Sequence, residues 1–215
     1  MKNLRIGAIL GALLMVAAAC SSTPAAKEGG TLIVALPGDI VRTDTALTDD
    51  SNSSYVIQQV IEGLVGLEPG STSKVVPVLA ESYEMSADGL TYTFKLRSGI
   101  KFHDGTDFNA DAVVASVERM VGLVADGLTD NDGFFGTLTG AEMVDDYTVR
   151  ITTDGPDGVI PARMYWLKII APSAKDVADM TEAPNGTGPY KFVSRETGVN
   201  IKLTANGDYW GGAPS

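Results

Sequence analysis

The chain has 215 residues, 44% of them hydrophobic and 20% charged, a mixture that suits a soluble domain with one substantial core and argues against disorder. Its formal net charge is −11, from 16 basic and 27 acidic side chains, and that balance argues against nucleic acid as a partner. A single cysteine excludes a disulfide within the chain, and a single histidine excludes a zinc site built from several histidines.

Residues 1–19 combine Lys2 and Arg5 with an apolar run that ends in Ala17, Ala18 and Ala19. The run is too short for a membrane-spanning helix, which needs about 20 apolar residues, and it reads as a secretory signal. Cys20 follows at once, ahead of Ser21 and Ser22. This order resembles the lipobox of bacterial lipoproteins, which implies cleavage before Cys20 and acylation of its sulfur and new amino group. Ala17 stands where that motif usually has Leu, and plain secretion is the alternative. Acylation accounts for a lone thiol in an oxidising compartment. It also makes residues 20–30, rich in small and polar side chains, a lipoprotein tether.

Residues 31–36 are apolar and β-branched, end at Pro37-Gly38, and predict a buried strand. A helix is expected from Asn52 or Ser53, both good N-caps, because Val56, Ile57, Val60, Ile61 and Leu64 then share a face; Gly63 and Gly66 mark its end. Asp88-Gly89 between residues 81–86 and 90–97 is a strong hairpin signal, with Tyr92, Phe94 and Leu96 on one face. Asn109 caps the next helix, whose Ala110, Val113, Val114, Val117, Val121 and Val124 keep helical spacing. A glycine and aspartate-rich loop over 127–140 carries Phe134 and Phe135. A second hairpin, 141–144 with 147–152, turns at Asp145-Asp146 and points Tyr147, Val149 and Ile151 inward; short helices are expected within 159–170 and 174–180. The last segment enters through Gly186-Thr187-Gly188-Pro189 into two alternating strands. Tyr190 and Phe192 share a face of the first, Val199, Ile201 and Leu203 a face of the second, and Gly198 makes the turn. Three hairpins interleaved with helices predict a mixed α/β fold with antiparallel sheet, not a doubly wound nucleotide fold.

Two stretches carry a resemblance. Gly186-Thr187-Gly188-Pro189-Tyr190-Lys191-Phe192 with Asn206-Gly207-Asp208-Tyr209-Trp210-Gly211-Gly212 is one. The other is Leu96-Arg97-Ser98-Gly99-Ile100-Lys101-Phe102-His103-Asp104-Gly105-Thr106 followed by Phe108-Asn109-Ala110-Asp111. Together they resemble the family 5 extracellular solute-binding proteins, the peptide, dipeptide and nickel receptors of ABC importers, from about residue 31 to the last residue. The resemblance implies the first lobe of a type II periplasmic-binding-protein-like fold over 31–215, incomplete, because the family is usually more than twice as long and closes two lobes around its ligand. It implies an extracytoplasmic receptor held at the outer face of the cell membrane by a lipid anchor. Such a receptor takes a peptide or other small solute to ABC permease subunits without chemistry and without a cofactor.

By segment, the resemblance puts Ser54 and Tyr55, Phe134 and Phe135, and Tyr165 and Trp166 at the ligand-facing side. Aromatic and small polar groups suit a pocket that buries a flexible solute, and paired aromatics beside apolar runs equally suit a core. Tyr209 and Trp210 are expected to support the fold. His103 reads as a turn residue rather than a metal ligand, and Asp130-Asn131-Asp132-Gly133 as a solvated loop, since an EF-hand also needs a glutamate at its twelfth position. Gly186-Thr187-Gly188 is no phosphate loop, because no lysine follows, Pro189 lacks an amide donor and a strand comes next. A scaffold or adhesive lipoprotein is one rival reading. A carboxylate-dependent hydrolase is another, weakened because the neighbours Asp49-Asp50 and Asp145-Asp146 point apart and converge on no substrate.

Overall fold

The computed structural model describes residues 29–214, so the signal, Cys20 and most of the tether read from the sequence lie outside the described residues. Among the described residues, every helix and strand falls within residues 35–214. Residues 31–36 form no strand, and Leu32, Ile33 and Val34 are exposed, which corrects the expectation of a buried strand. An apolar run becomes a strand only against a sheet edge, and none of the three sheets pairs with this one.

Helix α1 spans Ser51–Val60 and is capped by Asp50, not by Asn52 or Ser53. The Asp50 carboxylate accepts from the Ser53 backbone amide at 2.7 Å and from the Ser53 hydroxyl at 2.8 Å. A negative charge suits the unpaired amides of a helix start better than a neutral amide or hydroxyl does. The helix stops at Val60 because Ile61 is already extended. Ile61 and Leu64 therefore reach the interior from extended chain. Strand β1 (Val65–Leu67) pairs with β2 (Val75–Pro77) in a small antiparallel ribbon.

The main sheet is antiparallel and has the order β3-β4-β6-β5, from β3 (Ala80–Met85), β4 (Thr91–Leu96), β5 (Leu138–Asp145) and β6 (Thr148–Thr153). Both expected hairpins are present. Gly89 has φ of 72°, a conformation that the Asp-Gly turn requires and that a side chain resists. Tyr92, Phe94 and Leu96 on β4 and Val149 and Ile151 on β6 face one core. Tyr147 departs from the expectation, being more than one-third exposed, because it sits in the turn before β6.

Helix α2 (Ala110–Ala125) lays Val113, Val117 and Met120 into the same core. Asn109 caps it as expected, its side-chain oxygen accepting from the Asp111 and Ala112 amides at 3.1 and 3.4 Å. The loop expected over 127–140 contains a one-turn helix α3 (Asp132–Phe135) and gives its end to β5. Helix α4 (Ile160–Arg163) is the short helix foreseen within 159–170, but 174–180 is not helical; only a 3₁₀ turn at Pro172–Ala174 precedes it.

Strands β7 (Tyr190–Glu196) and β8 (Asn200–Ala205) make the terminal hairpin around Gly198, whose φ is 74°. Phe192 stands opposite Leu203, and both rest half-buried on Ile57, Val60 and Ile61. Val199 lies in the turn and is exposed. Ahead of this hairpin, the Gly188 amide donates to the Val60 carbonyl at 3.0 Å, and the His103 ring donates from Nε2 to the Gly188 carbonyl at 2.9 Å. A Cβ on Gly186 would overlap the Val60 carbonyl oxygen, and one on Gly188 would lie 2.6 Å from the Gln59 carbonyl oxygen. The glycines therefore serve backbone contact with the end of α1. Gly188→Ala is expected to lower stability by about 1–3 kcal/mol through forced backbone displacement. Gly207→Ala, with open space around its added methyl, is the control expected to change little. Equal urea midpoints for Gly188→Ala and the parent chain would refute this packing.

Candidate functional site

Irregular chain dominates the region that carries the sequence candidates, and side-chain bonds hold it in place. The Asn131 amide donates to the Thr45 carbonyl at 2.9 Å, fastening the start of α3 to the segment that leads into α1. Thr129 Oγ1 donates to the Ala46 carbonyl at 2.5 Å beside it. Arg119 of α2 grips Asp44 with both ends of its guanidinium, at 3.1 and 2.6 Å, and the Met180 amide donates to the same carboxylate at 3.2 Å. The segment after α4 is tied by Ile169 N to the Glu62 carbonyl at 2.9 Å and Ile170 N to Ser116 Oγ at 3.0 Å.

On this frame Tyr55 is 60% exposed, Phe134 44% and Trp166 40%. Tyr165 is half-buried and meets Trp166 edge-on at 4.7 Å between ring centres. Two candidates turn inward. Ser54 is buried, its hydroxyl donating to the Asp50 carbonyl at 2.9 Å, so it belongs to the helix start. Phe135 is 1% exposed and packs in the main core, because the single turn of α3 sends neighbouring side chains to opposite sides. The three exposed aromatics come from three different segments.

Sequence reasoning missed the buried Asp44–Arg119 pair and two further buried charges, Glu62 and Lys168. The Glu62 carboxylate accepts from Tyr209 Oη at 2.7 Å, from Trp210 Nε1 at 2.8 Å and from Thr187 Oγ1 at 2.8 Å. Burial pushes its pKa up, outweighing those hydrogen bonds and the attraction of Lys168. Lys168 donates from Nζ to the Tyr165 carbonyl at 2.8 Å and lies 4.5 Å from the centre of the Tyr165 ring. Burial pulls its pKa down to about 8, against the opposing pull of Glu62. The signal in the sequence is a lone charge within an apolar run, Ile61-Glu62-Gly63-Leu64 and Leu167-Lys168-Ile169. Tyr209 and Trp210 thus hold the interior together, with Arg97 stacked 5.3 Å from the Trp210 ring centre. Among the described residues, no group of three His, Cys, Asp or Glu side chains stands ready for a metal ion.

A model of the bacterial extracellular solute-binding proteins, family 5, matches residues 74–215. The chain belongs to this family. It is 34% identical over 205 residues to the glutathione-binding protein GsiB of Pectobacterium atrosepticum, a match covering 91% of this chain and 38% of that one. The heme-binding protein A of Haemophilus influenzae is 37% identical over 179 residues, covering 72% of this chain and 32% of its own. Among solved structures, the periplasmic binding protein DppA of Helicobacter pylori in complex with the peptide STSA superposes with a TM-score of 0.71 at 30% identity, over 80% of this chain and 38% of that one. The mixed α/β fold with antiparallel sheets is therefore that of type II periplasmic binding proteins. The chain spans between 32% and 38% of the length of these relatives.

Removing the Glu62 carboxylate leaves Trp210 Nε1 without an acceptor in a buried setting. Glu62→Ala is expected to lower stability by about 2–4 kcal/mol, and Glu62→Gln by clearly less, since an amide oxygen still serves Trp210 and Thr187. A raised folded pKa means that the folded state holds the proton longer than the unfolded chain. The stabilisation from that proton is complete below the ordinary glutamate pKa of 4.5 and is lost as pH rises through the raised folded value. The parent chain should therefore gain stability relative to Glu62→Gln as pH falls through that window. Urea melts showing a pH-independent difference would contradict a raised Glu62.

Proposed function

We propose that this chain is the ligand-capturing part of an extracytoplasmic receptor that takes a peptide or similar small solute and passes it to an ABC permease. Membership of family 5 carries the reading. It is supported by three aromatics, Tyr55, Phe134 and Trp166, left exposed on segments that are themselves firmly bonded to the core. Aromatic faces on a rigid frame suit a solute that must be buried without a demanding fit to each side chain. Glutathione and the peptide STSA, named for two relatives, are both short peptides, which favours peptide over other solutes here. Within this reading residues 1–19 are a signal, residues 20–30 a tether acylated at Cys20, and residues 31–215 the first lobe. A second lobe closes over the solute by a hinge motion.

Two measurements test it. Cys20→Ser is expected to leave the precursor uncleaved or to release the protein from membranes, and a mature N-terminus at any residue other than Cys20 would end the anchor proposal. A mixed tetrapeptide library, glutathione and heme are then compared by thermal shift. A ligand that binds only the folded state at 100 times its Kd stabilises by about 2.7 kcal/mol. Tyr55→Ala, Phe134→Ala and Trp166→Ala should each weaken binding by about two- to tenfold with little effect on the unliganded Tm. Saturable binding that none of the three changes would place the ligand elsewhere.

A further inference from the structure

The single histidine of the chain joins two segments that lie far apart in sequence. The backbone amide of His103 donates to the Gly186 carbonyl at 2.8 Å, and its ring donates from Nε2 to the Gly188 carbonyl at 2.9 Å. Beside it, the Asn185 side-chain amide donates to Asp104 Oδ2 at 2.7 Å. The Gly186–Gly188 stretch held in this way lies against the end of α1 and leads into β7. The turn that carries His103 and Asp104 thus fastens the entry to the terminal hairpin.

The bond to Gly188 fixes where the ring carries its hydrogen. A carbonyl oxygen only accepts, so Nε2 is the N–H of the neutral ring and Nδ1 is an acceptor. Nδ1 is buried, and among the described residues it has no hydrogen-bond partner. Protonation would put an N–H and a positive charge at that atom with nothing in reach to accept, and an unpaired buried donor is costly. Two charged side chains act on the ring: Asp104 from its own turn, which favours the proton, and Lys191 from β7, which opposes it. Helix α1, packed against the same glycines, carries no acidic or basic side chain, and Glu62 beyond it holds Thr187 within the same stretch. Burial is the largest influence on His103 and leaves its pKa below the ordinary 6.5.

We infer that His103 is a proton-operated latch on the terminal hairpin, closed while the ring is neutral and loosened when Nδ1 takes up a proton. The inference stands apart from the receptor reading. A folded pKa below the unfolded one means that opening the latch favours proton uptake. Its stabilisation is therefore complete above about pH 6.5 and is lost as pH falls through the lowered folded value. Glu62 acts in the opposite sense on the same stretch, its raised pKa adding stability as pH falls. The two effects separate only between chains that share Glu62 and differ at His103.

The test compares the full, untagged chain with His103→Gln, whose side-chain amide still donates to the Gly188 carbonyl but takes up no proton. Backbone amide exchange, corrected for intrinsic rates, is followed at pH 7 and pH 5. Protection of the β7 and β8 amides in the parent chain should fall by about three- to thirtyfold relative to His103→Gln, since one proton gives at most about tenfold per pH unit below 6.5. Amides of β4 and β6 in the main sheet should show no such difference. A second measurement needs no variant: with one histidine in the chain, its ring signals in NMR belong to His103. They should report the Nε2–H tautomer at pH 7.5 and a titration below 6.5. The Nδ1–H tautomer would overturn the latch, and so would a titration at or above 6.5, which would show that an acceptor meets the protonated Nδ1. Equal pH dependence of β7 and β8 in the two chains, or an equal loss of protection in the main sheet, would overturn it as well.

Discussion

The Glu62 carboxylate gathers the terminal segment, Thr187, Tyr209 and Trp210, against the end of α1. Its three donors come from residues 125, 147 and 148 positions further along the chain. The apolar cluster beside it is small, with Ile57, Val60 and Ile61 under two half-buried residues of the terminal hairpin. Burial of that size gives adhesion but little direction. Hydrogen bonds to Glu62, together with the backbone contact at Gly186 and Gly188, fix where the terminal hairpin sits against the end of α1.

The main core follows a different logic. There α2 lies against a four-stranded sheet, and large fully buried side chains such as Tyr92, Phe94 and Phe108 exclude water without needing a polar keystone. The Tyr92 hydroxyl gives it a polar handle by donating to the Asp157 carbonyl. Trp210 joins the two, since it packs against this core while its indole N–H donates to Glu62.

Local signals were legible in the sequence to the degree that they were local. Asn109 capping a valine-rich helix and Asp88-Gly89 turning a hairpin depend on a few neighbours, and both are found where spacing put them. Residues 31–36 and 174–180 have the composition of a strand and a helix but lack the tertiary partner or packed face that would stabilise either. Ser54 and Phe135 have exposed neighbours, and which of two adjacent side chains turns outward depends on how each helix is rolled against the core, which residue type alone does not give. Glu62 and Lys168 were visible only as lone charges in apolar runs. Their roles depend on residues far away in sequence, which periodicity cannot reveal.

The segment of residues 172–183 has no ladder of backbone bonds to a sheet, only one 3₁₀ turn and a set of anchors gathered on α1's approach and on α2. Thr43 donates to the Thr181 carbonyl at 2.5 Å, Arg119 to the Val177 carbonyl at 3.2 Å, and Asp44 accepts from Met180 while it holds Arg119. Because the anchors at Val177 and Met180 share the Asp44–Arg119 pair, releasing either one disturbs a buried ion pair on which the other depends. In hydrogen-exchange terms the segment is expected to open as one unit, its amides becoming exchangeable together. Its opening free energy is set by the rehydration of one guanidinium and one carboxylate rather than by the length of chain that moves.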